Sequence, residues 1–551
     1  MLRLCEALKE ITEFAELLSR IQAGDSPILI SGLSSIHKAH ISAAIHRLTG
    51  RPVVCVYADE FDVRRMSKDV SRFSEREVFV LPPREYTMHN VDVLSREFEH
   101  ERLSALYAMA SGRAGVVAAS ASALCQITMP PETLLSSAVF LKAGSEYPPD
   151  KLTSAFLELG YTRTNLVEAQ GQFAVRGGIF DFFSPYTQNP VRIEYFGDEI
   201  DSMGEFDLDT QRRIVNIKNT LLLPASETRV GQAERERLCA ILEEKIARLD
   251  RKKNEELIKT LKLDMERLKT NTDFPAIDRY LRYLYPEFHT AADYIPDNAI
   301  ILIDDYIRIS EGEKRETARR HEDTLRLIEQ GIIIPDAAEL SRPFTELEQN
   351  LRRFPVVLLE SFVRSAYGIP PRAIVSILAK QLPGYAANLE LASSEIISYA
   401  NDGMRVVVLA SSKNSARGLA DILKNHGVAA GLDYNLEKLP NPGEVIVSVG
   451  NISAGFMYPS ENLAVIAEGQ LVRADAKRRT ARRDRTNRQK ISSYQDLSVG
   501  CLVVHEMHGI GRFAGIAKIV VEGAEKDYIK IIYAGTDVLY VPVTQLDMVS
   551  K

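Results

Sequence analysis

A loop between the predicted first strand and the helix that follows it carries part of a phosphate-binding pattern. In G-x-x-x-x-G-K-[ST], backbone N–H groups surround the phosphates and the last hydroxyl ligates magnesium. Gly32 and Lys38 match the pattern, but His37 occupies the second glycine position and Ala39 the hydroxyl position. The side chain of His37 crowds the loop, and Ala39 supplies no metal ligand. We therefore predict that this degenerate nucleotide loop does not bind ATP.

Two acidic groups elsewhere have types and spacing that could hold a metal. Asp304 and Asp305 end an apolar run, as a magnesium-binding carboxylate would. Because the partner loop is degenerate, we expect them to cap the strand end. His505 and His508 lie near Glu506 at a strand-to-turn boundary, where no third ligand is obvious. We predict no metal site, and the absence of a G-x-S-x-G or a G-x-G-x-x-G after a strand leaves no catalytic residue to propose.

Three arginines could form one exposed basic face on a β-rich segment. They are Arg163, Arg176 and Arg192. Planar guanidinium groups clamp carboxylates through two hydrogen bonds, so such a face suits an acidic protein partner. Pairing inside the sheet with Glu194 or Glu199 is the alternative, and the spacing alone favours it.

A strongly basic run over residues 473–490 holds nine Lys or Arg residues against Asp475 and Asp484. It lacks apolar periodicity, which indicates an exposed linker. Neutralising DNA phosphates releases counterions and favours binding, so this linker could track a DNA backbone. A solvated hinge is the equal alternative. The candidate phosphate contacts are Arg478, Arg479, Arg482 and Arg483.

The composition describes an ordinary soluble protein of several domains. The chain has 551 residues, 45% of them hydrophobic, with a net charge of −7 and a pI near 5.9. This balance argues against a surface that grips nucleic acid everywhere. The first 21 residues read as an acidic amphipathic helix rather than a signal peptide, and no apolar run reaches the roughly 18 residues that span a membrane. We predict a cytoplasmic monomer.

Near-continuous apolar runs alternate with helical segments at the start of the chain, which is typical of a parallel sheet covered on both faces. Its predicted strands are Ile28–Ser31, Val53–Tyr57, Val78–Leu81, Gly115–Ala119 and, after one long charged helix over residues 231–271, Ala299–Asp305. Between them, the aromatic and β-branched segments Phe173–Phe183 and Val191–Phe196 predict an antiparallel meander inserted into this first domain.

A second α/β unit and a small β-unit follow. The predicted strands of the second unit are Val406–Leu409, Val445–Val449 and Leu463–Ile466. After the basic linker, alternating apolar residues predict a strongly curved antiparallel barrel. They are Ile519, Val521, Tyr528, Ile531, Tyr533, Leu539, Val541 and Val543. So small a barrel has no room for a pocket but presents strand edges, so we expect it to bind a partner.

Two parts of the chain resemble known domains. Gly171–Asp181, Val191–Ser202 and the stretch from Phe206 to Arg212 closely resemble the UvrA-binding domain that UvrB shares with the bacterial transcription–repair coupling factor (Mfd) family. The stretch beginning at Val503, with Leu539–Val543, resembles that family's RNA-polymerase-interacting domain, a Tudor-like barrel also found in CarD-type regulators. The resemblance covers essentially all 551 residues and looks like the N-terminal half of a coupling factor.

The resemblance implies a multidomain α/β fold. It consists of a UvrB-like α/β domain with a degenerate P-loop and an inserted α+β module, a second α/β domain, and a small C-terminal Tudor/CarD-like β-barrel. The implied boundaries are 1–127 for UvrB-like domain 1a, 128–214 for the UvrA-binding domain 2, 215–345 for domain 1b, 346–472 for the α/β domain 3, 473–491 for the basic linker and 492–551 for the polymerase-interacting domain.

Two departures from the family limit what the resemblance implies. UvrB has an intact nucleotide loop and a long aromatic hairpin that probes damaged DNA, whereas here Leu81–Tyr86 run straight into a helical segment over Val91–Ser111. Family members also continue into a two-lobed ATP-driven DNA translocase and an autoinhibitory domain, and this chain ends at Lys551. We therefore expect neither damage verification nor ATPase activity, no ATP or magnesium in this chain, and an open UvrA surface.

The implied function is a non-catalytic adaptor in nucleotide excision repair. The barrel would bind the β subunit of RNA polymerase by pairing an edge strand with it, through Lys518, Ile519, Val520 and Val521. The inserted module would bind UvrA through Arg163, Arg176, Phe180 and Arg192. A CarD-like transcription regulator that never recruits UvrA is one alternative. An ATP-dependent translocase is another, and His37 and Ala39 argue against it.

Overall fold

The computed structural model divides the chain into two compact units, Met1–Arg473 and Ala474–Lys551. It describes all residues except 90–95, 229, 251, 271–273, 365–366, 386–387, 472–501, 506–508, 522–523, 533–537, 543–548 and 551. For many residues beyond 503 it describes the backbone alone. No helix in the described part of the chain is long and apolar enough to cross a membrane.

The first 125 residues alternate helices with short apolar strands. The elements are α1 (Leu2–Ala7), α2 (Thr12–Ala23), β1 (Ile28–Ser31), α3 (Ser35–Thr49), β2 (Val53–Tyr57), α4 (Glu60–Ser74), β3 (Val78–Leu81), α5 (Glu97–Ala110), β4 (Val116–Ser120) and α6 (Ala121–Cys125). Local signals set several boundaries. Gly24 and Gly50 end α2 and α3 in the left-handed conformation, and the carboxylate of Asp59 accepts a hydrogen bond from the Asp62 amide at the start of α4.

The next segment is a six-stranded sheet in the order β11-β10-β9-β8-β7-β6, antiparallel as predicted except that β6 runs parallel to β7. Its elements are α7 (Pro131–Ser137), β5 (Val139–Lys142), α8 (Pro149–Glu158), β6 (Thr162–Arg163), β7 (Gln172–Arg176), β8 (Ile179–Phe182), β9 (Val191–Phe196), β10 (Glu199–Phe206), β11 (Arg213–Ile217) and β12 (Asn219–Leu222). The aromatic run over 173–183 is a hairpin, because Gly177 turns the chain with φ +60°. Strand β12 pairs with β5, so the module extends beyond the predicted limit of 214.

Helices dominate the segment that returns to the first sheet. Its elements are α9 (Gln232–Arg248), α10 (Glu255–Thr270), α11 (Leu281–Leu284), β13 (Ile300–Asp304), α12 (Tyr306–Glu329), α13 (Phe344–Leu351) and β14 (Val356–Leu359). The single helix predicted over 231–271 is two helices. The carboxylate of Asp250 accepts a hydrogen bond from the Lys252 amide, and this side-chain turn competes with helix continuation.

The second α/β unit occupies the remainder of the first compact unit. Strand β15 (Ala373–Ser376) comes before it in the chain, and the elements of the unit are β16 (Lys380–Gln381), α14 (Leu389–Asn401), β17 (Arg405–Ala410), α15 (Lys413–Asn425), β18 (Ala430–Leu432), β19 (Val445–Val449), β20 (Phe456–Tyr458), β21 (Leu463–Ala467) and α16 (Glu468–Leu471). A sheet in the order β16-β20-β21-β17-β19-β18 forms its centre, and β17, β18, β19 and β21 run parallel, as the predicted strands required.

The first sheet is parallel throughout and has seven strands in the order β15-β1-β14-β13-β2-β4-β3. Strand β13 lies between β14 and β2, so the chain does return to this sheet after the inserted module. Strands β14 and β15 also belong here, although the sequence-based boundary at 346 assigned them to the second unit. Their short apolar runs did not show which of two neighbouring parallel sheets they would join.

The two α/β units share one hydrophobic core. Helix α3 is buried from Ile36 to His46, and its neighbours include Leu409, Phe456 and Tyr458 from the second sheet. The helix therefore lies between the two sheets rather than on the surface of the first. This arrangement determines which residues the side chains of the degenerate nucleotide loop contact.

The C-terminal unit is an antiparallel β-structure, as predicted. Its strands are β22 (Leu502–His505), β23 (Gly509–Val521), β24 (Ala524–Ile532), β25 (Val538–Pro542) and β26 (Val549–Ser550), in the order β25-β24-β23-β22-β26. A register shift between Phe513 and Gly515 interrupts the β23–β24 pairing. Tyr533 and Val543, two of the residues on which the barrel prediction rested, lie outside the described residues.

Candidate partner-binding sites and a degenerate nucleotide loop

Gly32, the first glycine of the loop after β1, has a left-handed backbone conformation and a crowded environment. Gly32 has φ +89°, a conformation that side chains other than glycine rarely adopt. A Cβ atom at this position would lie 2.3 Å from the carbonyl oxygen of Ile377. The glycine is therefore required by the close approach of the segment after β15, and that segment fills space above the loop.

The lysine of the loop is neutralised within the protein. Lys38 Nζ donates a hydrogen bond to Asp304 Oδ1, and the two side chains are only 7% and 14% exposed. Burial raises the pKa of Asp304 above its ordinary value, although the charge of Lys38 opposes that shift. The lysine that would contact a phosphate and the carboxylate that would hold magnesium thus satisfy each other. The capping prediction thus fails for Asp304, which is a buried ion-pair partner, whereas the carboxylate of Asp305 accepts a hydrogen bond from the Arg308 amide and caps the start of α12.

His37 and Ala39 have structural roles. The imidazole of His37 is fully buried, with Nδ1 2.8 Å from Ser34 Oγ. Its ring meets those of Tyr458 and Phe456 edge-on, with centroids 5.1 and 5.6 Å apart. Burial lowers the pKa of His37 to about 4, so the ring is neutral at pH 7. Ala39 is fully buried in the same core.

His40, one helical turn further on, is a core residue that the sequence reasoning missed. Its Nδ1 lies 3.2 Å from Tyr458 Oη, and its ring centroid lies 4.6 Å from that of Phe73. Burial lowers its pKa to about 3. The i, i+3 spacing of His37 and His40 on one helix was a signal for a shared buried face. Together these contacts show that the residues of the loop do not fit a nucleotide and magnesium.

Two of the three candidate arginines converge on one buried carboxylate. Arg192 donates from Nε to Asp181 Oδ1 at 2.7 Å and from Nη2 to Oδ2 at 2.9 Å, while Arg176 Nη2 contacts Oδ2 at 2.5 Å. Asp181 is 1% exposed. Pairing inside the sheet therefore occurs, but its partner is Asp181 and not the predicted Glu194 or Glu199.

The three arginines do not share one face. Strand register places Arg192 and Ala174 opposite Asp181, on the same face as Arg176. It places Arg163 beside Phe173, on the other face and at the edge strand β6. Side chains along β7 alternate between the two faces of the sheet, and Phe173 and Arg176 are an odd number of residues apart. They therefore lie on opposite faces. Arg176 is 47% exposed and Arg163 is exposed, whereas Arg192 is mostly covered and lies over the Phe206 ring at 4.7 Å.

Phe180 is a core residue and not part of an exposed surface. It is 1% exposed, and its ring centroid lies 5.3 Å from that of Tyr195. It faces the apolar side of the sheet with Phe173 and Ile193. The ring of Phe180 is therefore covered in this structure, and its contact with UvrA stays a prediction. A partner would reach it only after the core of the module opened.

The predicted polymerase-binding residues lie in the second half of the long strand β23. Lys518, Ile519, Val520 and Val521 pair with Asp527, Lys526, Glu525 and Ala524 of β24. On the other side, β22 pairs with residues from Gly509 to Arg512 only. Within the described residues, the backbone from Gly515 to Val521 therefore has a neighbouring strand on one side and a free edge on the other. This geometry is compatible with strand addition.

Arg478, Arg479, Arg482 and Arg483 of the basic linker lie outside the described residues. Glu506 and His508, the centre of the rejected metal pattern, also lie outside them.

A buried charged cluster, absent from the sequence analysis, connects the inserted module to the first domain. Glu227 accepts hydrogen bonds from Arg102 Nε at 3.2 and 3.1 Å, and both side chains are fully buried. Arg84 lies 3.3 Å from the same carboxylate and donates to Asp278 at 2.6 Å. Burial would raise the pKa of Glu227, but Arg102 and Arg84 outweigh it and lower that pKa. No sequence pattern links these residues, because 125 positions separate Arg102 from Glu227.

With this geometry established, two domain families match the chain. Residues 139–227 match the UvrB interaction domain, which corresponds to the segment from β5 to the buried carboxylate of Glu227. Residues 497–551 match the CarD-like/TRCF RID domain and contain all five strands of the C-terminal unit. The chain is therefore a multidomain α/β protein that combines these two interaction domains.

Curated relatives extend the similarity to nearly the whole chain. The transcription-repair-coupling factor of Bacillus subtilis (strain 168) is 30% identical over 550 residues, which cover 99% of this chain and 46% of that protein. The transcription-repair-coupling factor of Staphylococcus haemolyticus (strain JCSC1435) is 28% identical over 534 residues, covering 96% and 45%. The chain thus spans about half the length of the curated relatives it matches. The resemblance to transcription–repair coupling factors stated from the sequence is confirmed.

Proposed function

We propose that this chain is an adaptor that links RNA polymerase to UvrA and so recruits nucleotide excision repair to stalled transcription. The observation that carries the proposal is the presence of a UvrB interaction domain and a CarD-like/TRCF RID domain in one chain. The similarity to transcription-repair-coupling factors along nearly the whole chain supports it. The chain would act as a monomer with two docking surfaces, and its basic linker would add contacts to DNA phosphates.

The proposed adaptor does not use nucleotide chemistry in the loop after β1. The ion pair between Lys38 and Asp304 removes the two charges that phosphate and magnesium would need. The packing of His37 on Tyr458 occupies the position of the second glycine. An ATP-driven role for this part of the chain would require both contacts to break.

UvrA would dock on the arginine-bearing face of the six-stranded sheet. Arg176 is the exposed member, and Arg192 and Asp181 hold it in position from below. A half-exposed guanidinium that makes one contact within the sheet retains free N–H groups for a carboxylate of the partner. Arg163, on the opposite face at the sheet edge, would contribute only if the partner wraps around that edge.

Replacing Arg176 by alanine is expected to weaken UvrA binding about tenfold or more, because loss of a charged hydrogen bond costs about 1–3 kcal/mol. Folding should be preserved, since Arg192 still donates two hydrogen bonds to Asp181. The measurement is a titration of purified UvrA followed by calorimetry. Arg248→Ala, which removes a 73% exposed helix arginine, is the matched control. Equal UvrA affinity for the Arg176 variant and the control would contradict this docking face.

RNA polymerase would bind at the free edge of β23. An extended segment of the β subunit would add to the backbone between Gly515 and Val521, and main-chain hydrogen bonds would supply the affinity. Strand β22 already pairs with the first part of β23, from Gly509 to Arg512. Only the stretch from Gly515 to Val521 would therefore be available to a partner strand.

The substitution Ile519→Arg is expected to reduce the capture of RNA polymerase at least tenfold while leaving UvrA binding unchanged. It places an additional charge on the segment that the partner strand would cover, where it would lose its hydration without a partner. A pulldown with purified polymerase, quantified against a concentration series, measures the effect. Leu325→Arg, at an exposed position of α12, is the control. Full retention of polymerase by the Ile519 variant would exclude edge pairing.

A CarD-like transcription regulator remains a second candidate function. The observation in its favour is that the CarD-like/TRCF RID match falls entirely within the separate unit Ala474–Lys551. A chain that binds polymerase but shows no affinity for UvrA would favour this function over the adaptor.

A further inference from the structure

The outermost strand of the six-stranded sheet, β11, is exposed on both of its faces. Residues Arg213 to Asn216 are all exposed, and the apolar side chains of Ile214 and Val215 are 55% and 48% accessible. The strand pairs with β10 on one side only. In the described part of the chain, nothing covers its other edge. An uncovered edge strand with apolar residues is a template for another strand.

Strand β11 keeps a regular register from Val215 onward, after a shift at its start. A register shift opposite Glu205 and Phe206 displaces the start of β11, but Val215, Asn216 and Ile217 pair in register with Glu205, Gly204 and Met203. The amide of Asp207 donates to the Arg212 carbonyl at 2.9 Å and closes the hairpin. The regular half of the strand therefore has a fixed backbone, which lowers the entropy cost of adding a partner strand.

Two cations without an ion-pair partner flank this strand. Arg212 and Lys218 are exposed, and within the described residues neither forms an ion pair. Arg213 differs, because Glu194 holds its guanidinium at 3.1 Å. Six residue steps separate Arg212 from Lys218, which corresponds to about 20 Å along an extended strand at roughly 3.3 Å per residue. An apolar edge thus has a free positive charge at each end.

We propose that β11 binds an extended segment of a partner protein by strand addition. The segment carries β-branched residues in its middle and acidic residues at both ends, spaced to meet Arg212 and Lys218. Main-chain hydrogen bonds supply the pairing, Ile214 and Val215 contact the middle of the segment, and the two cations select its charge. The apolar side chains between the cations favour a peptide over a nucleic-acid backbone, which would leave Ile214 and Val215 without contacts.

This site differs from both proposed docking surfaces, although Arg192 Nη1 lies 3.4 Å from the Gln211 carbonyl oxygen, one residue before Arg212. Arg176 and Arg192 lie on β7 and β9, and β10 separates β9 from β11. The polymerase-binding residues lie in the other compact unit. The inference therefore stands whether or not the adaptor function holds.

The first test uses a synthetic peptide and the full chain. The peptide has five alternating threonine and valine residues between two aspartates at each end, and fluorescence anisotropy of a labelled copy measures binding. We expect saturable binding that weakens at least tenfold when alternate amides of the peptide are N-methylated, because N-methylation removes the donors that strand addition needs. Equal binding of the methylated peptide, or no binding of either peptide, would overturn the proposal.

The second test exchanges the charges. The double variant Arg212→Glu with Lys218→Glu is expected to bind the aspartate peptide at least tenfold more weakly. It is expected to bind a peptide in which lysines replace the aspartates at both ends. Both positions are exposed, so the fold should persist, and a thermal melt checks this. A control with the same change in charge is Arg248→Glu with Lys259→Glu, on exposed helices. Unchanged peptide preference in the double variant would reject charge selection at this edge.

Two other occupants give distinct results in the same experiments. Binding of a poly-thymidine oligonucleotide that competes with the peptide and disappears in the double variant would identify a nucleic-acid site and overturn the proposal. Concentration-dependent self-association in sedimentation, abolished in the double variant, would identify a second copy of this chain as the occupant. That result would overturn it as well.

Discussion

Replacing Glu227 by alanine is expected to lower the free energy of unfolding of the first compact unit by about 3–5 kcal/mol, the range for breaking a buried ion pair. Arg102 is the cause, because its fully buried guanidinium would lose the carboxylate that accepts from Nε. Its Nη1 would keep only the carbonyl oxygens of Pro82 and Ala123. A buried charge without a counter-charge is among the most destabilising changes available to a protein. Chemical denaturation followed by circular dichroism measures the effect.

A matched control and a double variant separate the ion pair from general loss of packing. Glu322→Ala removes an exposed glutamate from α12 and should change stability by less than about 0.5 kcal/mol. Combining Glu227→Leu with Arg102→Met should recover much of the loss, since apolar residues of similar volume often replace buried ion pairs at little cost. A loss below about 1 kcal/mol for Glu227→Ala would show that the cluster does not hold the module to the first domain.

Acidification from pH 7 to pH 5 is expected to destabilise the first compact unit through three buried histidines. Burial lowers the pKa of His37 to about 4, that of His40 to about 3 and that of His100 to about 4. In the unfolded chain each titrates near its ordinary value of about 6.5. As the pH falls below about 6.5, the unfolded state takes up protons that the folded state refuses, so stability is lost until the folded-state pKa is reached. Each histidine contributes about 2 kcal/mol of loss at pH 5.

The variant His100→Gln isolates one of these contributions. Its amide can replace the contact of His100 Nε2 with the Ala225 carbonyl, 3.0 Å away, but it cannot titrate. Between pH 7 and pH 5, the free energy of unfolding of the variant should therefore fall by about 2 kcal/mol less than that of the parent protein. Carboxyl groups whose pKa is raised in the folded state, such as Asp304 and Glu313, stabilise the folded protein on acidification. Both proteins share this effect, so the difference between their free energies of unfolding is the quantity to measure. An identical slope of the free energy of unfolding against pH for His100→Gln and the parent protein would contradict the assignment.

The sequence was most informative where a single local pattern determines structure. Apolar runs such as Val53–Tyr57 and Ile300–Asp304 are buried strands of one parallel sheet, because a strand covered on both faces needs apolar residues at every position. The two lost positions of the nucleotide loop were also readable, since His37 and Ala39 replace residues with one chemical role each. The break between α9 and α10 was readable in principle from Asp250 and Asn254, but high helix propensity around them hid it.

The sequence was least informative where the partner of a side chain is distant or where strand parity decides exposure. Phe180 and Arg176 lie on neighbouring strands of one hairpin, yet the first is buried and the second half-exposed, because they point to opposite faces. Spacing offered Glu194 and Glu199 as partners for the arginines, whereas the pleat directs Asp181 between them. The boundary at 346 failed because β14 and β15 are joined to the first sheet by pairing with β1 across more than 300 positions, which no local signal encodes.

The burial of α3 between the two sheets limits which substitutions the degenerate nucleotide loop tolerates. The substitution His37→Gly would remove the imidazole ring from its contacts with Phe456 and Tyr458, and Ala39→Ser would place a hydroxyl group in an apolar interior. Each substitution lowers stability before any affinity for a phosphate could compensate. Rebuilding a nucleotide loop here would therefore require compensating changes in the second sheet, because that sheet supplies Phe456 and Tyr458.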